Sequence, residues 1–308
     1  MTTHRPLTDC VVGFSISESE DMERLGFDRS EMNRCVVRLS ESLLAAGARL
    51  AFGHDWRPGG VMVAVAALAV RYFHLGPDAA GESKAKAPII NRVAWPDLPF
   101  LAPAETSNPD ASPPAGSAVD PMVRLLKGIV DARQTSVPEG TSRADALSLM
   151  RAELADLCNI RVCLGGKLTG SSGKMSGIVE EALGALRKGR PVFTSGIFGG
   201  ASDLVARAMD SETDIENKSL TDDLRARLLA IRKLSASADK GLTAAEEKFL
   251  DDLGVALLEI RALSANVDRG LTAEEEKLLW HCTSTEQCVE LILRGAVKCF
   301  TKNQETSH

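Results

Sequence analysis

The chain has no excess of positive charge. Lys and Arg number 36 against 42 Asp and Glu, a formal net charge of −6. Phosphate neutralisation favours a basic surface, so general nucleic-acid binding is excluded, whereas a local basic pocket is not. Long hydrophobic runs are also missing. The longest, "VMVAVAALAV" at 61–70, falls short of the about 20 residues a bilayer-spanning helix needs, and no membrane partner is expected. The first ten residues, "MTTHRPLTDC", lack the apolar stretch of a signal peptide. Seven cysteines, at 10, 35, 158, 163, 282, 288 and 299, form no C-x-x-C pair. An odd, scattered set predicts reduced thiols and a cytoplasmic protein. His and Cys do not cluster at zinc-ligand spacing, so no metal is expected. H-E-x-x-H, the P-loop, kinase motifs and G-x-G-x-x-G are absent, no Ser-His-Asp series is legible, and no cofactor is expected.

What is present is a globular composition: 308 residues, 44% hydrophobic and 25% charged, enough for a sizeable core. Apolar runs at 10–16, 48–53, 89–95, 160–165 and 191–196 read as strands, the third closed by Pro96. Helical spacing predicts a helix over 31–46, where Met32, Cys35, Val36, Leu39 and Leu43 recur behind Asp28 or Ser30 as cap. Further helices are predicted at 61–73, 121–132, 142–157 and 177–188, and one more opens after "IFGG". Gly47 and Gly189 stand where helix-ending glycines stand. Residues 102–120, rich in Pro, Ala and Ser, predict a flexible insertion. Strands alternating with helices predict an α/β domain over 1–212, a Rossmann-like doubly wound parallel sheet. Residues 213–308 are expected to form a C-terminal helical appendage. Within it "RKLSASADKGLTAAEEKFL" (232–250) repeats as "RALSANVDRGLTAEEEKLL" (261–279). Thr243 with Glu246, and Thr272 with Glu275, fit capping boxes. Two copies are too few for a free-standing solenoid. They must pack on the α/β domain or on another subunit, and a homo-oligomer is expected.

Ligands of such sheets bind outside the carboxyl ends of the strands, where four glycine-bearing turns fall. In the first, "GFSISESED", Gly13, Ser15 and Ser17 can offer amides and hydroxyls to a phosphate. Glu18, Glu20 and Asp21 can accept from ribose hydroxyls; a solvated acidic loop is the alternative. In the second, "GHDWRPGG", Gly53, Gly59 and Gly60 permit close backbone approach. Arg57 suits a bidentate phosphate contact and Asp55 a polar one. His54 reads as a turn residue, and Trp56 as a stacking platform or a buried anchor. In the third, "LGGKLTGSSGKMSGIVEE", Gly165 and Gly166 end a strand, and Lys167 and Lys174 add positive charge. Gly177 opens a helix whose dipole favours anions. Glu180 and Glu181 are ordinary first-turn acids or functional ones. Neighbours on a helix stand about 100° apart, so they are not expected to face a ligand together. In the fourth, "SGIFGGAS", Gly196, Gly199 and Gly200 again lie beneath a helix start.

Together these turns resemble those of the SLOG superfamily. This Rossmann-like group includes the LOG-type phosphoribohydrolases and the nucleotide-sensing domains of TRPM channels and of Thoeris-type bacterial defence proteins. "LAFGHDWRPGGVM" is similar to their strand, Y-G-G-G turn and G-L-M helix start, and "GIVEE" to the end of P-G-G-x-G-T-x-x-E. The resemblance covers about 10–75 and 158–210, with Gly177 on the motif glycine and Glu181 on the catalytic glutamate. It departs at Leu164-Gly165-Gly166, which replaces Pro-Gly-Gly, at Ile178, which replaces threonine, and in the insertion from Lys167 to Ser176. No segment matches the arginine-bearing helix of those hydrolases. The resemblance implies first a sensor for a nucleotide-derived small molecule, an ADP-ribose-class or cyclic nucleotide signal as in antiviral defence. Such a sensor would act through oligomer formation or an effector protein partner. It implies second an enzyme that hydrolyses the N-glycosidic bond of a nucleoside monophosphate, with Glu181 as acid/base. An interaction scaffold with a degenerate pocket is the third reading.

Overall fold

The computed structural model describes residues 5–53, 60–72, 86–97, 126, 128–168, 172–213, 222, 224–226, 229 and 243–305. The insertion expected at 102–120 and residues 232–242 of the first repeat copy lie outside them.

Side chains of a strand alternate between its faces, and here both faces are apolar. β1 (Val11–Ser17) sends Val12 and Phe14 into one core and Val11 into another. β5 (Ile160–Gly165) does the same, with Ile160, Val162 and Leu164 on the first side and Cys163 on the second. Burial on both faces is the mark of a parallel sheet covered by helices. β1 pairs in parallel with β2 (Arg49–Gly53) on one side and β5 on the other, in register Phe14↔Phe52 and Ser15↔Cys163. With β3 (Ile89–Val93), β4 (Val130–Gln134) and β6 (Val192–Ser195), the sheet runs β4-β3-β2-β1-β5-β6. The chain winds outward from β1 to β4, then returns to β5 at the other side of β1. The switch point of this Rossmann-like α/β fold therefore lies between β1 and β5.

β4 corrects the end of the helix predicted over 121–132: residues 130–132 are strand, whereas Leu126 is helical and 121–125 and 127 lie outside the described residues. Only Val130 of its five residues is buried, and Arg133 is exposed. An edge strand with one covered side carries no apolar run for periodicity to find. Pairing with β3, in register Ile89↔Val130, makes it a strand.

One face of the sheet is covered by α1 (Arg29–Ala45), α2 (Met62–Tyr72) and α8 (Thr285–Glu305). Asp28 is the cap of α1 and closes a capping box with Glu31. Met32, Cys35, Val36, Leu39 and Leu43 are buried as their spacing predicted, each larger side chain contributing about 1.5–3 kcal/mol. The other face carries α3 (Arg143–Leu157), α4 (Gly177–Arg187), α5 (Gly200–Met209) and α6 (Ala244–Ser264). α7 (Ala273–Trp280) turns the chain between faces, with Leu279 in the first core and Trp280 in the second. The capping boxes at Thr243 and Thr272 both form. All seven cysteines are free and buried. Among the described residues, no helix is long and apolar enough to cross a membrane.

Candidate functional site

A cavity of about 350 Å³ opens at the carboxyl ends of β1 and β5, on the switch point. Of the expected residues, Ser15, Ser17, Glu18, Gly53, Lys167, Gly177 and Glu181 line it. Asp55, Arg57 and Gly59, with His54 and Trp56, lie outside the described residues. Gly60 does not line the cavity, but Val61 and Met62 beside it do.

Gly165 has φ +69°, and a Cβ there would meet the Ser17 carbonyl oxygen at 2.3 Å. Only glycine permits this approach, which lets Gly166 N donate to that oxygen at 2.7 Å. Gly166 O in turn accepts from Ala201 N at 2.9 Å. Ser19 Oγ donates to Phe198 O. Gly200 N donates to Asp21 Oδ2 at 3.0 Å, and Leu168 N to Glu20 Oε2 at 3.1 Å. The loops after β1, β5 and β6 thus bind one another. Gly165, Gly166, Gly199 and Gly200 serve that knot, Gly196 N donates to Trp280 O at 3.0 Å, and none of the five lines the cavity. Asp21, weighed as a ribose acceptor, occupies the amide end of α5, and Glu20 takes a backbone amide.

The start of α4 is left differently. Its cap residue Ser176 makes no side-chain capping bond; the hydroxyl donates to Lys167 O at 2.9 Å instead. Ser176, Gly177 and Ile178 line the cavity, so the dipole end of α4 opens on it. Among the described residues, no acidic side chain pairs with the exposed Lys167 beside it. Lys174 is turned away and pairs with Asp145 at 2.6 Å.

Glu180 and Glu181 are engaged by arginines from two directions. Arg151, on α3, pairs with Glu180 and stands with Nε 3.6 Å from Glu181 Oε1. Arg161, on β5, donates to Glu181 Oε2 at 3.2 Å, and Ser15 Oγ donates to the same oxygen. Burial works against the charge of the fully enclosed Arg161, but nearby Cys158 and Glu181 outweigh it and hold its pKa above the ordinary arginine value. Burial pushes the Cys163 thiol up to about 12. Gly13 lies under this cluster instead of lining the cavity. A Cβ on Gly177 would sit 2.6 Å from Arg151, so this glycine makes room for the guanidinium as it opens the helix. Glu180 and Glu181 diverge as helix neighbours do, so that Glu181 lines the cavity and Glu180 does not; Arg151 nonetheless joins them.

Arg29, Asn33, Arg143, Met150, Arg151, Ser172 and Ser176 also line the cavity and were not anticipated. Arg29 pairs with Glu18 at 3.0 Å. An arginine does reach the glutamates, though no segment matched the expected arginine-bearing helix. Arg151 stands in a helix whose sequence carries no motif. Arg161 had a signal, since one charge in the apolar run "IRVCLG" must find a partner when buried. Among the described residues, no cluster of His, Cys, Asp and Glu is arranged to hold a metal ion.

The fold and cavity define a doubly wound α/β protein with a ligand-sized site at its switch point, walled by a helix start and a buried Arg–Glu cluster. The chain belongs to the SLOG family: the family model SLOG cluster2 matches residues 6–276. This membership suggests nucleotide-related binding or processing. A search of curated proteins gives no match.

Proposed function

We propose that the switch-point cavity binds a nucleotide-derived small molecule of the ADP-ribose or cyclic-nucleotide class and that the protein is a sensor of it. The observation that carries this reading is the uncapped start of α4, opening on the cavity beside Lys167. Positive charge and the amides of a helix start suit a phosphate. Ser17 and Glu18, on the β1 side of the cavity, suit ribose hydroxyls. The sensor would work in the cytoplasm, in a role such as bacterial antiviral defence, through an effector protein partner or by self-association. Val255 and Leu258, 66% and 46% exposed on one face of α6, support self-association through the C-terminal helices.

Thermal unfolding with AMP, ATP, NAD, ADP-ribose and cyclic ADP-ribose tests the reading. A ligand at 100 times its Kd adds about 2.7 kcal/mol of stability, and Lys167→Ala is expected to remove the shift. No shift with any of the five would refute it. Hydrolysis of an N-glycosidic bond is the second reading, favoured by Glu181 on the cavity wall. Release of free base, lost in Glu181→Gln while binding persists, would establish it.

A further inference from the structure

Trp95 stands two residues beyond β3 and is 42% exposed, whereas Trp280 is buried. A tryptophan left open to water is unusual, because its burial is worth more than that of most side chains. Its surroundings are not loose. Arg143 Nη1 donates to Ala94 O at 2.9 Å and to Trp95 O at 2.7 Å, and its Nη2 donates to Asp97. Gln134 Nε2 donates to Asp97 O at 2.7 Å, and Thr135 N to Val93 O at 2.9 Å. The backbone on both sides of Trp95 is thus held in place while the indole stays uncovered.

The indole forms one wall of a second cavity, also about 350 Å³, whose other wall is the loop from β4 to α3. Gln134, Thr135, Glu139 and Thr141 supply its polar edge, and among the described residues that line it there is no lysine or arginine. Such a lining does not suit a phosphate. It suits a flat, uncharged ring, stacked on the indole and hydrogen-bonded at its rim.

Both cavities lie at the carboxyl edge of the sheet, and Arg143 links their walls. That residue lines the switch-point cavity and holds the Trp95 carbonyl. β3 stands three strands from β5, whose loop carries Lys167 and leads to α4, about 14 Å at the usual strand spacing. A ligand spanning this distance needs a spacer between its two ends.

We propose that the Trp95 cavity is a second subsite of the switch-point site and takes a planar heterocycle, so that the ligand is two-ended. Its phosphate-bearing part sits at the start of α4, and a ring joined to it stacks on Trp95. Nucleotides with two ring systems linked through a pyrophosphate have this form. The inference rests on the proposed reading of the switch-point cavity.

Calorimetric titration of the full chain with NAD, which has two rings, and with AMP, which has one, tests it. Trp95→Ala is expected to weaken NAD about tenfold or more, the effect of losing one base stack, and to leave AMP unchanged. Trp95→Phe, which keeps a stacking face, is expected to restore most of the affinity. Trp95→Phe should melt close to the wild type, because it keeps most of the partly buried ring and the backbone here is held by Arg143. If Trp95→Ala leaves NAD binding intact while Lys167→Ala removes it, the second subsite is refuted and the first stands. Equal losses for NAD and AMP would put Trp95 in the first ring's own site and overturn the two-ended form. If neither probe binds the wild type, the reading of the switch-point cavity falls and this inference falls with it.

Discussion

Gly13 and Arg161 show how closely one residue conditions another under the cavity. A Cβ on Gly13 would stand 2.6 Å from Cys158 Sγ and 2.8 Å from Arg161 Cζ. The strand therefore carries glycine there to admit a guanidinium, not to approach a phosphate. Gly13→Ala is expected to destabilise the protein by about 1–3 kcal/mol through overpacking, seen as a lower urea midpoint. An unchanged midpoint would mean that Arg161 can withdraw, and that Glu181 is not rigidly held. Ser15, Ser17, Glu18, Lys167, Gly177 and Glu181 were legible as cavity residues because each lies at or near a strand end or a helix start, and such positions are local. Arg29 and Arg143, the first residues of α1 and α3, and Arg151, in the middle of α3, were not, because none belongs to a glycine turn and each reaches the site only through packing.

At the scale of elements, α7 and α8 are fastened by acidic side chains. Burial opposes the charge of Asp210, but His281 at 3.0 Å and the Glu212 amide hold it below the ordinary carboxylate range. Asp268 is lowered by Lys302 of α8. Glu275 is lowered by the Thr272 amide and by Arg294. Glu286, at the start of α8, is brought to about 2 by its own backbone amide and by Arg38 of α1. Each folded-state pKa is depressed, so its stabilisation is complete above the unfolded carboxylate value and is lost as pH falls through the folded one. The window runs from about pH 4 down to about 2. Hydrogen exchange is expected to rise over 268–305 in that window before it rises in β5, and more so in high salt, which screens exposed pairs. Simultaneous exchange of both regions would contradict this. The repeat's helix starts were legible, because a capping box is written in four consecutive residues. β4 was not, because an edge strand is defined by its neighbour.

The whole molecule shares its cores between the sheet and the C-terminal helices. Leu250, Leu253, Leu257 and Ile260 of α6 are buried with α4 and α5, and Leu291 and Ile292 of α8 with α1 and the sheet. Each such side chain is worth about 1.5–3 kcal/mol, against a total stability of about 5–15 kcal/mol for a typical protein. A chain cut after Glu212 is therefore expected to aggregate or to remain unfolded, as size-exclusion chromatography and circular dichroism would show. A monomeric, cooperatively folding product would make 213–308 a separate module. What the sequence determined alone was local or periodic: the strand–helix alternation, the caps, the glycine turns and hence the Rossmann-like class. Tertiary structure alone decided the sixth strand, the meeting of Arg151 and Arg161 with Glu181, and which turns open on the cavity and which bind each other. Those depend on contacts between residues far apart in the chain, such as Gly200 and Asp21, and no local pattern encodes which distant partner a group will meet.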